Sequence, residues 1–177
     1  MDADPISPRL MIKLVPRDQW GANLSQSLRG PRWDALRRET YRRAGHVCQI
    51  CARIGTRHPV EAHEDWDYDE SEGTQRLVRL MALCPACHEV QHFGLASIKG
   101  RATVALRHLM AVNAWDAATA RAHVDLAFET WIRRNAIRWT LDLSALTDYG
   151  LQPPTPAELE AAVRRRRRQI EGPPRRP

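Results

Sequence analysis

The apolar positions of this chain change their spacing several times, and each change marks an element. Leu10 to Val15 (LMIKLV) is a short apolar run closed by Pro16, which predicts a strand. RDQWGANLSQSLRG has no clean period and reads as an arm or loop. From Pro31 onward, Trp33, Leu36, Thr40 and Tyr41 fall on one helical face. Pro31 suits the first turn of that helix, and Gly45 suits the position just past its end. PVEAHE predicts a short strand, and an acidic, turn-rich loop follows it. TQRLVRLMALC then leads into a helix beginning around Pro85. After Gly100, RATVALRHLMAVNAW and DAATARAHVDLAFETWIRR predict two helices. Asp116 is the N-cap of the second, in which Ala120, Val124, Ala127, Phe128 and Trp131 recur at three- and four-residue steps. RWTLDLSAL places Trp139, Leu141 and Leu143 at strand spacing, with the N-terminal strand as its expected neighbour. Beyond it, prolines bracket a helix-compatible segment and the five-arginine run Arg164 to Arg168, expected to form a mobile basic tail.

These elements predict an α+β chain. Its segments are an N-terminal strand and arm over 1–30, a zinc-binding core over 31–99, a helical buttress with a terminal strand over 100–149, and a Pro/Arg-rich tail over 150–177. A length of 177 residues fits one domain with an appendage.

Charge changes the picture. The formal net charge is +6, carried mostly by arginine, whose guanidinium favours phosphate. Arg37, Arg38, Arg42 and Arg43 on the first helix, with Arg164, Arg165, Arg166, Arg167 and Arg168, are the candidate nucleic-acid contacts. The alternative for both groups is a solvated basic face. The N-terminus has no charged-then-apolar leader pattern and no run reaches membrane-spanning length, so a cytoplasmic, reducing compartment is expected. In that setting four cysteines in two C-x-x-C pairs read as metal ligands rather than disulfides.

Cys48 and Cys51 form one pair, Cys84 and Cys87 the other, with 32 residues between Cys51 and Cys84. Two such knuckles supply the four thiolates of a structural zinc. His88 and His92 are then surplus. Four residues apart, they lie one turn apart on the same face of the predicted helix. His63 on the PVEAHE strand is the candidate third ligand of a second divalent ion.

The stretches CQIC, VEAHE and LVRLMALCPACHEVQH resemble the HNH nucleases, the ββα-metal or His-Me finger family, in the version stapled by a four-cysteine zinc. LVPRDQWGANL with WDALRRETYRRAGHVC also resembles bacterial proteins commonly labelled HNH endonuclease. The resemblance implies an HNH-like core flanked by an N-terminal helix and C-terminal helices. It implies phosphodiester hydrolysis in double-stranded DNA, with Zn²⁺ as structural ion and Mg²⁺, Mn²⁺, Ni²⁺ or Zn²⁺ as catalytic ion, and no small-molecule cofactor. One register of VEAHE on the family strand makes His63 a metal ligand and Glu64 the general base. A one-residue shift makes His63 the base and puts Ala62 at the ligand position. The first register keeps three histidine ligands and is preferred. Arg79 stands where the family carries an orienting Asn, and is the candidate stabiliser of transition-state charge. For Glu64 and Arg79 the alternative is a salt bridge on the hairpin. For the whole chain the alternative is a non-catalytic zinc module binding nucleic acid or a protein. A C-x-x-C redox protein is the poorer third option, because one zinc accounts for both pairs.

Overall fold

A computed structural model describes residues 8–21, 23–28, 30–55 and 58–171, except the side chains of 166, 167 and 169–171. Arg166 and Arg167, as candidate phosphate contacts, therefore lie outside the described side chains. The chain is mixed α+β, with a three-stranded sheet in the order β1-β2-β3. In chain order the elements are α1 (Leu24–Ser27), α2 (Gly30–Arg43), β1 (Glu61–Asp69), β2 (Thr74–Leu83), α3 (Pro85–Gln91), α4 (Phe93–Ile98), α5 (Ala102–Asn113), α6 (Ala117–Arg134), β3 (Thr140–Asp142) and α7 (Pro156–Glu171). No described helix is long and apolar enough to cross a membrane.

Helix α2 ends where its sequence says it should. The Gly45 amide donates to the Arg42 carbonyl and the His46 amide to the Tyr41 carbonyl, with Gly45 in the left-handed region at φ 59°. This double closure satisfies two of the last carbonyls, and glycine accepts that backbone without a Cβ penalty. Asp116 caps α6 by accepting the Thr119 amide at 2.7 Å.

Four expectations need correction. The acidic segment after PVEAHE is not a loop: β1 runs on through Asp69, with Trp66 inward and the aspartates outward. Asp–Trp–Asp–Tyr–Asp is itself an alternating pattern, and the turn occupies only residues 70–73. Leu10 to Val15 belongs to no sheet among the described residues. Side chains take its backbone bonds: Asn113 accepts the Leu10 amide and donates to its carbonyl, and His123 Nε2 accepts the Ile12 amide. β3 therefore pairs elsewhere, in parallel with β2, in the register Thr74↔Thr140, Gln75↔Leu141 and Arg76↔Asp142.

The arginine run, too, is helical where a tail was expected. Thr155 and Glu158 form a reciprocal cap at the start of α7: Thr155 N–H donates to Glu158 Oε2 at 2.7 Å and Glu158 N–H to Thr155 Oγ1 at 3.3 Å. Ala162 is fully buried, and Arg165 donates to the Gln26 carbonyl.

The chain divides into two compact units built from non-consecutive stretches. The first comprises Met1–Leu14, Tyr41–His63 and Met81–Ile132, the second Val15–Thr40, Glu64–Leu80 and Arg133–Pro177. In the first, Leu10, Ile12, Leu83, Val90, Phe93 and Leu109 pack around Cys48, Cys84 and Cys87. In the second, Leu24, Leu28, Leu36, Trp66, Leu77 and Leu146 form the core, and Tyr68 packs against it. Trp66 and Tyr68 are thus packing residues. Trp139 meets the Tyr68 ring edge-on at 5.2 Å, and the Arg134 guanidinium lies 4.0 Å over it.

Candidate metal centre

Both ligand clusters belong to the first unit, and α3 carries part of each. Pro85 opens α3 at a position where its missing N–H costs nothing. Cys84 is the N-cap, Cys87 and His88 lie within the helix, and His92 is the residue that ends it. The first knuckle is held against the end of β2. Gln49 N–H donates to the Ala82 carbonyl at 2.9 Å, and the Ala82 N–H donates back to Gln49 Oε1 at 2.7 Å. Gly55, just beyond the knuckle, is required by contact. A Cβ there would lie 2.1 Å from the His58 carbonyl oxygen and 2.5 Å from the Pro85 ring.

Cys48, Cys51, Cys84 and Cys87 bring their sulfurs within 4.8 Å of one another. All four are free thiols, and three are buried. Cys51 Sγ and Cys84 Sγ are 3.6 Å apart. A disulfide needs about 2.05 Å. Two thiolates on one tetrahedral zinc, each at about 2.3 Å, stand about 3.8 Å apart. The spacing is that of a metal clamp, so the four cysteines can hold a metal ion, and zinc suits an all-thiolate set. A hydrogen bond from the Cys87 thiol holds the Cys48 thiol down at about 4. Burial pushes Cys84 up to about 11, and Cys87, which serves Cys48 as donor, is pushed up as well. Cys84 and Cys87 thus resist ionisation beside Cys48, and a divalent ion would remove that resistance. His108 on α5 adds a contact that spacing did not reveal, its Nε2 lying 3.2 Å from Cys87 Sγ.

His63, His88 and His92 likewise offer ligand atoms within 4.8 Å of one another. Their ring centroids are 4.6 to 5.3 Å apart, each pair edge to face. His88 Nε2 and His92 Nε2 face each other at 3.2 Å. Two imidazole nitrogens at about 2.0–2.1 Å from a shared tetrahedral ion stand about 3.3 Å apart. His63 is 7% exposed, and its Nδ1 is buried with no hydrogen-bond partner. Burial lowers the pKa of all three, to about 4 for His88 and His92 and well below the ordinary value for His63. Neighbouring imidazoles add to the effect at His63 and His92. The rings are therefore neutral near pH 7, the form that binds metal.

Glu61 was not singled out from the sequence, yet its Oε2 lies 2.5 Å from His88 Nδ1. The available signal was period two: Glu61 and His63 share a face of β1, and Glu64 points the other way.

The structure does not bring Glu64 or Arg79 to the imidazoles. The Glu64 carboxylate is buried and accepts the Leu24 amide at 2.9 Å at the start of α1; burial raises its pKa, and that amide pulls the other way. Arg79 pairs with Asp65 at 3.2 Å, the hairpin salt bridge that was its alternative. The acidic residues of the hairpin have similar local uses. Asp69 accepts the Ser71 and Glu72 amides, and Glu70 pairs with Arg134. Among the candidate phosphate contacts, Arg38, Arg42, Arg43, Arg164 and Arg168 are exposed, and Arg37 pairs with Asp34. No protein family, curated protein or solved structure matches this chain, so its assignment rests on the geometry of the two clusters.

Proposed function

We propose that this chain is an HNH-like, metal-dependent endonuclease that hydrolyses phosphodiester bonds in DNA. The observation that carries the reading is the convergence of three imidazoles, from β1 and from α3 and its C-cap, beside a four-cysteine cluster to which α3 and its N-cap contribute Cys87 and Cys84. The strand–strand–helix order β1, β2, α3 is the order the resemblance implies. The unpartnered His63 Nδ1 and the 3.2 Å gap between His88 and His92 fit a divalent cation. An all-imidazole set favours Zn²⁺, Ni²⁺ or Co²⁺ over Mg²⁺, which prefers oxygen. Such an ion supplies Lewis acidity to a phosphate oxygen and charge compensation for the leaving group. His63, His88 and His92 hold and orient it, while the exposed arginines of α2 and α7 add sequence-independent phosphate affinity.

A second reading has its own support. Glu64 is occupied as a helix cap and Arg79 by Asp65, so neither family-derived role is met by a group aimed at the cluster. A chain of this kind can hold both ions and bind nucleic acid or protein without cutting. The deciding experiment is nicking of supercoiled plasmid by zinc-loaded protein with added Ni²⁺, Mn²⁺ or Mg²⁺, beside His88→Ala. Metal-dependent nicking that His88→Ala abolishes while keeping one zinc per chain establishes the nuclease. No cleavage of duplex, single strand or RNA, with a second ion demonstrably bound, establishes the binding module.

A further inference from the structure

We propose that Glu61 is a positioning residue for the imidazole cluster, holding His88 as the Nδ1-protonated tautomer so that its bare Nε2 faces His92. This rests on reading the three histidines as an ion site. Glu61 precedes His63 by two residues in β1, so the two side chains leave the strand on the same face. The Glu61 carboxylate oxygen lies 2.5 Å from His88 Nδ1. An ionised carboxylate only accepts hydrogen bonds, so the proton at this contact belongs to Nδ1. A neutral imidazole carries a single N–H, which leaves Nε2 with a lone pair. That is the atom standing 3.2 Å from His92 Nε2.

Two consequences favour a cation. The ring is fixed in azimuth before any ion arrives, and the carboxylate makes Nε2 a better donor while offsetting positive charge. Glu61 does this from the edge of the cluster. Its side chain is 36% exposed, so shortening it leaves no buried void. The competing arrangement is a doubly protonated His88 bridging Glu61 and His92, which would present no lone pair to an ion.

The test is made on the full-length protein carrying one zinc per chain. Long-range ¹H–¹⁵N spectra at pH 7.5 report the ring nitrogens of His88 in wild type, Glu61→Gln and Glu61→Ala. Ni²⁺ affinity is measured by competition with a chromophoric chelator. In wild type the Nδ1-protonated form is expected. Glu61→Gln, whose amide oxygen still accepts, keeps that form. Glu61→Ala loses it and weakens Ni²⁺ binding by about 10–100-fold. The proposal is overturned by a wild-type His88 protonated on Nε2 or on both nitrogens, or by Glu61→Ala leaving tautomer and Ni²⁺ affinity unchanged. Failure of wild type to bind Ni²⁺ at the histidines defeats the ion reading separately, because the spectra report the hold of Glu61 on His88 without any ion.

Discussion

Cys87 is fully buried and ringed by sulfur, whereas His88, the next residue, is 25% exposed and turns one ring nitrogen to a carboxylate. The first belongs to a set of four soft ligands that can close around an ion; the second belongs to a set of three which, in the proposed reading, would leave a tetrahedral position open. They also differ when no ion is bound. The Cys87 thiol lowers the pKa of Cys48, while burial lowers those of the imidazoles, one of which keeps a buried nitrogen unpartnered. A metal at the cysteines would therefore be tied to folding of the first unit, and the proposed ion at the histidines to what that site does once folded.

The largest expected effect tests the closed side. Cys87→Ser should lose the thiolate-bound zinc and cost about 4–5 kcal/mol. For a chain of this size that lowers Tm by about 10–20 °C, readable by calorimetry beside the zinc content. Unchanged Tm and stoichiometry would end the claim that this cluster organises the core.

Next comes the open side, where the sign should reverse. His63→Leu removes a buried, unpartnered nitrogen, so the zinc-loaded protein without a second ion should gain about 1 kcal/mol in urea unfolding. Ni²⁺ binding at the histidines should vanish. Loss of stability in that variant would place His63 among the fold's structural supports instead.

Acid sharpens the contrast further. Burial lowers the pKa of His88 and His92 to about 4 in the folded chain, against 6.5 for a free imidazole. Between those values the unfolded chain takes up protons that the folded chain refuses. Stability is therefore full above about pH 6.5, falls as pH drops toward about 4, and the loss from these groups then levels off. The urea midpoint followed from pH 7.5 to 5.5 should fall, and less steeply in His88→Asn. The smallest effect is expected at Glu64→Gln, whose amide oxygen can still accept the Leu24 N–H. Stability should change by less than about 1 kcal/mol, with Ni²⁺ affinity unaltered. Lost plasmid nicking in this variant, with both ions retained, would return Glu64 to the role of base.

The ligand clusters were legible because metal chemistry leaves its spacing in the chain. Two C-x-x-C pairs and an i, i+4 histidine pair need no knowledge of packing. Helix α2, with Gly45 beyond it, was legible because capping is local. Other features were hidden because they depend on partners distant in sequence. Nothing in LMIKLV announces that Asn113 and His123 take its backbone bonds, nor that β3 lies beside Thr74–Arg76. His108 reaches Cys87 across 21 residues. Two signals were present and easily overlooked. The Thr155–Glu158 pair marks a helix start ahead of the arginines, and the alternation through VEAHE sets Glu61 with His63 and Glu64 opposite.

Helix α3 has only seven residues, too few to persist on its own in water. Packing holds it, with Cys87 and Val90 fully buried in the core of the first unit. Because Cys87 and His88 are consecutive, any transient opening that loosens one ligand loosens the other. If both proposed sites are filled, the helix would act as a shared clock. With both ions bound, their escape to an excess of chelator should follow one slow time course, matched by deuterium uptake at the α3 amides, rather than two unrelated ones.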